Sequence, residues 1–283
     1  MTYKTLTTAI AMTALAPAAF ADGHASLTGY GLTDDGAALA VFADMTAPDG
    51  AEKVMLSGGT VDAIAYRPVT GDLMGFSKTG KVYVIDTATG ELTDTEASFA
   101  EDVVMGNDAP VAFDFNNKID AVRAVSGDGV NVVYFPTDFG DDRANSVLRF
   151  TDLAYAENDV SVGITPMIFA NAYTNAVNGA KQETTAQYAL DAGTDTLVTL
   201  ANNAGTLETV APLTLDGKAV DVAAAGGFEI ISAEAGADTA IALLQTEGSD
   251  TTGLYQIDLE TGALTLMGDT KMSGFSGFAA KMN

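Results

Sequence analysis

The feature that most constrains the fold of this 283-residue chain is a short motif that recurs along it. Two copies share the pattern Tyr-x-Ile-Asp-x-x-Thr-Gly, at 83–90 and 255–262, and a third, partial copy lies at 188–195. Each copy has the form of a β-strand that ends in a polar turn. Repetition of such a unit along one chain indicates a repeat architecture.

Around these motifs the sequence predicts groups of four short strands that alternate apolar and polar residues. The clearest group has strands at 61–66, 73–76 and 82–85, with a fourth that begins at Glu91. Similar groups are predicted at 111–150 and 227–266, and a less regular one at 163–213. Four antiparallel strands joined by tight turns form one blade of a β-propeller, so we predict an all-β propeller.

The first group is incomplete, because 29–56 supplies three strands but no opening strand. Residues 274–280 at the chain end resemble the missing strand. We therefore predict a single domain over 22–283 with five blades, closed by pairing of the C-terminal strand in the first blade. Closure removes exposed sheet edges. The alternatives are a sixth blade hidden within 150–215, or an open sandwich or β-solenoid.

The first 21 residues have the features of a signal peptide. Lys4 is the only charge before Asp22, an apolar run follows at 9–16, and 19–21 read Ala-Phe-Ala, the small-x-small pattern of a cleavage site. We predict cleavage after Ala21 and a periplasmic or secreted mature protein.

Composition excludes several classes of function. The chain has 13 basic and 38 acidic residues, a net charge of −25, which disfavours nucleic acid and anionic membranes as partners. No later segment is apolar enough to insert into a bilayer, and we expect a monomer. There is no Cys, hence no disulfide or thiolate chemistry, and His24 is the single His, which argues against a Ser-His mechanism.

Several motifs follow one another in a fairly specific order. They are the two full motif copies, Phe113–Asn116 followed by Val122–Ser126, Ala172–Asn175, and Thr196–Val198 leading to Gly205–Leu207. In this order they resemble a secreted bacterial family, the one numbered 4394 among the domains of unknown function. The resemblance covers nearly all of the mature chain. It implies export and a propeller-like all-β fold, and it implies no activity. One departure is Asn117, which stands where that family usually has Pro.

Two acidic residues are candidate catalytic groups. Asp114 and Glu229 each follow a Phe on a predicted opening strand, and opening strands line the channel of a propeller. Two carboxyl groups about 5 to 9 Å apart can hydrolyse a glycosidic bond. The first and second groups have Ala279 and Ala65 at the matching place, so no full ring of acids forms. The alternative is a structural role, with each acid bonded to neighbouring backbone or to Arg123.

Two further acidic patterns are present. Asp138, Asp141 and Asp142 form a compact loop that is either a Ca²⁺ site or a solvated turn. The Asp residues that end the repeated strands are expected to accept hydrogen bonds from N–H groups of the turns that follow. These residues are Asp86, Asp191 and Asp258.

The leading hypothesis is a secreted, non-enzymatic propeller that binds a protein or glycan through loops on one face. It depends on the absence of catalytic and cofactor motifs and on long predicted insertions near 136–187, since loops on rigid scaffolds commonly carry binding sites. One alternative is a propeller glycoside hydrolase that uses Asp114 and Glu229. The other is a structural component of the envelope or matrix.

Cleavage after Ala21 would create a chain that begins Asp22-Gly23-His24. The free amine, two backbone amides and the imidazole form a square-planar nitrogen set suited to Cu²⁺ or Ni²⁺. The alternative is that His24 is incidental in a terminal tail. The copper hypothesis predicts one equivalent of Cu²⁺ bound by the mature protein and lost in His24→Ala, measured by titration. Equal copper uptake by the two proteins would contradict it.

Overall fold

The computed structural model describes residues 27–283, so the predicted signal peptide and the Asp22-Gly23-His24 site lie outside the described residues. The described chain forms five β-sheets. Its only helical segments are two short 3-10 turns, at Pro48–Gly50 and Asn202–Ala204.

The strands fall into five consecutive blades. Blade 1 begins with β1 (Leu27–Thr33), β2 (Ala38–Phe42) and β3 (Glu52–Met55). Blade 2 contains β4 (Ala63–Arg67), β5 (Asp72–Ser77), β6 (Lys81–Ile85) and β7 (Leu92–Asp94). Blade 3 contains β8 (Ser98–Phe99), β9 (Val111–Asn116), β10 (Ala121–Ser126), β11 (Asn131–Phe135) and β12 (Ser146–Arg149).

Blades 4 and 5 complete the series. Blade 4 contains β13 (Ala154–Tyr155), β14 (Ile168–Tyr173), β15 (Gln187–Asp191), β16 (Thr196–Ala201) and β17 (Thr206–Pro212). Blade 5 contains β18 (Thr214–Leu215), β19 (Lys218–Ala219), β20 (Val222–Ser232), β21 (Asp238–Thr246), β22 (Gly253–Ile257) and β23 (Ala263–Asp269). The last strand is β24 (Phe275–Met282).

The ring closes as predicted. β24 pairs antiparallel with β1, in a register that runs from Leu27 opposite Met282 to Leu32 opposite Gly277. β24 is thus the innermost strand of blade 1, which has the order β24-β1-β2-β3. The innermost strands β4, β9, β14, β20 and β24 each contact the next around the ring. The fold is therefore a closed propeller with five blades, not six, and not an open sandwich or solenoid.

Small residues let the innermost strands approach one another. A side chain at Gly227 on β20 would place its Cβ 2.2 Å from the backbone N of Phe278 on β24. At Gly277 a Cβ would lie 3.3 Å from the side chain of Ile64 on β4. Only glycine fits the first position without movement of backbone, because real Cβ contacts are not that short.

The core consists of apolar layers between adjacent blades. Between blades 2 and 3 the rings of Phe76 and Phe113 have centroids 5.4 Å apart. Strand β9, near the axis, is buried at every position, whereas the outer strand β3 has three of its four residues exposed. Inner strands are packed on both faces, which explains their long apolar runs.

The repeated Asp residues have the predicted hydrogen bonds, but one of them is at a different place in its blade. Asp86 and Asp258 end the third strands of their blades, and each carboxylate accepts two backbone N–H bonds from its turn, at 2.8 to 3.0 Å. Asp191 ends β15, the second strand of blade 4, and accepts from Met167 N and Gly193 N. Alignment of the third motif copy with the other two is therefore wrong by one strand.

The close contact at Gly227 predicts a large penalty for added volume. Gly227→Ala should lower the free energy of unfolding by about 2 to 3 kcal/mol, because the new methyl group overlaps the backbone of β24. Chemical denaturation measures the change. Gly50→Ala is the control, since a Cβ there meets nothing within 4 Å, and should change stability by less than about 0.5 kcal/mol. Equal stability of Gly227→Ala and wild type would contradict this account of ring closure.

Candidate functional site

The two ends of the central channel differ. All five innermost strands run in the same direction, so one end of the channel, here called the open face, is formed by their N-terminal ends. The other end, here called the capped face, is formed by their C-terminal ends. Residues 175–182, the cap segment, follow β14 and cover the capped face.

Hydrogen bonds connect the cap segment to all the other blades. They run from Gly179 N to Pro68 O (2.8 Å), from Gln182 N to Asn117 O (2.8 Å), from Asn178 Nδ2 to Met282 O (3.1 Å) and from Asn175 N to Asp238 Oδ1 (2.8 Å). Their acceptors belong to blades 2, 3, 1 and 5 or to the turns that follow their inner strands. Since the segment itself leaves blade 4, it joins the five blades at this end of the channel.

The open face has a cleft of about 280 Å³ directly over the channel. Phe169 and Phe275 form apolar walls, and Asp34 and Asp108 lie at the rim. Lys78 fixes one side, because its Nζ donates to the carbonyl oxygens of Asn107 (2.6 Å) and Ala109 (2.9 Å). The cleft is therefore partly apolar, with acidic groups at its edge.

Below this cleft the channel narrows to a cavity of about 10 Å³. Small residues such as Ala112, Ala170, Gly227 and Gly277 line it together with larger ones such as Phe169. Such a volume is at the lower limit for one water molecule. A ligand larger than water in the open cleft would therefore stop above this constriction.

The two candidate acids occupy equivalent places on inner strands two blades apart. Asp114 on β9 and Glu229 on β20 are each only 4% exposed. Asp114 Oδ2 accepts a hydrogen bond from Tyr173 N on the inner strand of the next blade (2.7 Å), and Glu229 Oε2 accepts from Ala280 N in the same way (3.3 Å). Innermost strands have a partner strand on one side only, so these carboxyl groups satisfy N–H groups at the channel edge.

Arg123 on β10 is directly opposite Asp114 on β9, but its guanidinium group bonds to other residues. Its guanidinium donates to the Tyr173 hydroxyl (2.9 Å), to Asn131 Oδ1 (2.5 Å) and to Asn203 Oδ1 (2.8 Å). The hydrogen bonding of Asp114 is therefore to neighbouring backbone rather than to Arg123.

Burial sets the protonation of both acids. Desolvation raises the pKa of Asp114 well above its ordinary value, against the opposing effect of its backbone hydrogen bonds. Desolvation likewise raises the pKa of Glu229, and the nearby Asp114 charge raises it further. The neutral forms are favoured, because a second negative charge in this interior is costly.

Two buried amides in blade 4 were not identified from the sequence. Neither Asn171 on β14 nor Gln187 on β15 has a hydrogen-bond partner for its side-chain O or N among the described residues. Asn171 also lines the constriction. An Asn in the middle of the otherwise apolar run 168–172 is the one signal that could have pointed to it. Buried amides of this kind are commonly paired with internal water.

The acidic loop for which a Ca²⁺ site and a solvated turn are the alternatives lies on the capped face, where arginines pair with two of its members. Asp138 accepts from Arg67 Nη2 (2.7 Å), and Arg67 is also bonded to the buried Asp120 through Nε (2.8 Å) and Nη2 (2.5 Å). Asp141 pairs with Arg143 (2.6 Å). Within residues 27–283 no group of three or more acidic or His side chains is arranged to hold a metal ion. Calcium binding by Asp138, Asp141 and Asp142 stays a prediction.

The closed ring of five sheets around a channel, each with at least four strands, defines a five-bladed β-propeller. None of the helices in the described part of the chain has the length and apolarity needed to cross a membrane. Residues 42–279 match the family described as Domain of unknown function (DUF4394), and the chain belongs to that family.

Among solved structures, the chain is similar to a protein of unknown function from Bacteroides caccae. The two share 9% identity with a TM-score of 0.41, over 90% of this chain and 98% of that one. No curated protein matches the sequence.

The raised carboxyl pKa values predict how stability depends on pH. A group that holds its proton more tightly when folded is most stabilising below its ordinary pKa, and this contribution is lost as pH rises toward the folded-state pKa. As pH rises from 5 to 9, the free energy of unfolding should therefore decrease less for Asp114→Asn and for Glu229→Gln than for the wild type. Chemical denaturation at several pH values measures this.

The control for this prediction is Asp86→Asn. Backbone hydrogen bonds lower the pKa of Asp86, so this group is ionised throughout the range in both folded and unfolded chains. Its substitution should leave the slope unchanged. Wild-type slopes in both buried variants would contradict the assignment of raised pKa values.

Proposed function

We propose that this propeller is an exported, monomeric, non-enzymatic module that binds a protein or glycan at its open face. The observation that carries the proposal is the cleft of about 280 Å³ over the channel. The cleft lies at the open face, which is the end of the channel that the cap segment does not cover. Clefts that combine apolar walls with a few polar groups are the usual form of a binding site.

Exposed apolar side chains on the same face support this proposal. The connections from β8 to β9 and from β13 to β14 cross the open face between neighbouring blades. They carry five of the eight large exposed apolar residues of the described chain, which are Val104, Val160, Val162, Ile164 and Met167. Val160 is 87% exposed. Apolar residues grouped in this way are typical of surfaces that contact a partner.

A glycoside hydrolase that uses Asp114 and Glu229 is less well supported. Hydrolysis requires a sugar to reach between the two carboxyl groups. Both are 4% exposed, they bond to the next blade, and the constriction above them admits no more than water. A structural role in the envelope or matrix has no separate observation in its favour.

The binding proposal predicts that substitutions on the open face remove partner capture without unfolding the protein. The test variant is Val160→Ser, Val162→Ser and Ile164→Ser together. Purified variant and wild type are immobilised and exposed to extracellular and periplasmic extracts and to a glycan array. At least tenfold loss of each partner captured by wild type is expected, because several apolar contacts are removed together.

The matched control carries Met55→Ser and Leu266→Ser, which remove exposed apolar side chains from the outer strands β3 and β23. It should retain wild-type capture. A polysaccharide hydrolysis screen with Asp114→Asn and Glu229→Gln tests the alternative. Turnover by wild type that both substitutions abolish would overturn the non-enzymatic proposal.

A further inference from the structure

A second cleft, of about 330 Å³, lies between blades 1 and 2 near the capped face. We call it the interblade cleft. Tyr30 of β1, Tyr66 of β4 and Lys281 of β24 contribute its polar groups, and Leu73 and Val84 contribute apolar surface. Its volume matches the lower end of the range for small-molecule sites. It is separate from the open face, so its ligand would be additional to the proposed partner.

Two hydroxyl groups in this cleft lack partners in the protein. Tyr30 is 3% exposed and Tyr66 is 8% exposed, and both rings pack in the apolar layer between blades 1 and 2. Within residues 27–283 neither hydroxyl takes part in a hydrogen bond, although both side chains line the cleft. Neither hydroxyl oxygen is among the fully buried polar atoms of the described chain, so both are open to water or to a ligand in the cleft.

Lys281 adds an ammonium group to the lining of the same cleft. Among the described residues it forms no ion pair, whereas Lys78, Lys81 and Lys271 each do. Burial raises the pKa of Tyr66, and the nearby Tyr30, Asp72 and Glu229 raise it further, so this phenol is a neutral donor at neutral pH. Three donors in the lining of one cleft match a carboxylate, whose two oxygens accept several hydrogen bonds.

Acceptors lie at the edge of the same cleft. Asp86 uses Oδ1 for the backbone N–H groups of its own turn, and Asp72 uses Oδ2 for the Thr70 hydroxyl (2.6 Å). The second oxygen of each carboxylate therefore remains available to hydroxyl groups of a ligand. Thr87 and Thr93 also line the cleft.

We propose that the interblade cleft binds a small polyhydroxy carboxylate of the uronic acid type. Its carboxylate would accept from Lys281 and the Tyr30 and Tyr66 hydroxyls. Its hydroxyl groups would donate to Asp72 and Asp86, and one face of its ring would lie on Leu73 and Val84. The net charge of the chain is −25, so attraction of an anion depends on these short-range donors.

The test is calorimetric titration of the mature protein with galacturonate, with galactose and acetate as separate probes. The chain has no Trp, so tyrosine fluorescence gives a second reading. Galacturonate should bind saturably and more tightly than either probe. Lys281→Gln should raise its Kd about tenfold or more, because it removes the positive charge, and Tyr66→Phe should raise it several-fold, because it removes one donor.

Matched controls are Lys218→Gln and Tyr188→Phe, on blades 5 and 4, which should bind as wild type does. Lys281→Gln lies at the chain end, so it gives a reading even if Tyr66→Phe alters packing. Three outcomes would overturn the proposal: no saturable galacturonate binding, equal affinity for galactose, or unchanged affinity in both test variants. Failure here leaves the open-face proposal unaffected, because the serine variants probe a different surface.

Discussion

Pairing of β24 with β1 is the interaction on which the rest of the structure depends. It joins residues more than 240 positions apart, and it gives blade 1 its innermost strand. Without it the inner edge of β1 would be unpaired. The connection between β20 and β4 would also be lost, because β24 lies between them and contacts both. The chain has no Cys, so no covalent link replaces this contact. Folding must therefore bring the two ends together before the last layers can pack, a non-local event that is slow in β proteins.

Closure around so narrow an axis determines what the innermost strands can contain. Gly227 and Gly277 bring backbones together where a propeller with more blades would have space. The same approach leaves N–H groups on the channel side of these strands without a ladder partner. Asp114 and Glu229, each on the preceding blade, accept hydrogen bonds from two of these groups, Tyr173 N and Ala280 N. Their burial is thus a consequence of the architecture, and burial is the main cause of their raised pKa values.

The architecture could be predicted from the sequence because it depends on local periodicity. Strand runs ended by Gly and Asp turns give the blades, and 274–280 could be recognised as a missing strand since it resembles its equivalents. The predicted equivalence of 188–195 with the other two motif copies is wrong, because Tyr188–Asp191 has the motif of a third strand but lies in the second strand of blade 4. The insertion between β14 and β15, which contains the cap segment, displaces the pattern there. A single sequence shows the insertion but not the strand that follows it.

Site features were predictable only where they depend on local sequence. The turn bonds of Asp86 and Asp258 involve residues two or three positions away. By contrast, Arg67 contacts Asp120 and Asp138 across 53 and 71 positions, and the cap segment bonds to carbonyl oxygens of other blades. No pattern marks such pairs, because backbone acceptors have no residue identity and Arg67 lies in an ordinary strand-turn sequence.

The two faces of the channel differ in how firmly the fold holds their side chains. On the capped face, the Arg67–Asp120 pair is buried, and removal of one partner from such a pair is far more harmful than its presence is stabilising. Side chains there are fixed by the need to join five blades. The connections on the open face carry exposed apolar residues, among them Val104 and Val160. They can change without loss of the ring, so selection for a partner would act there first. The interblade cleft differs from both, because its tyrosine rings belong to the core and only their hydroxyls face outward. A ligand there would bind to groups that the fold already holds in position, and would lose little entropy in ordering the protein.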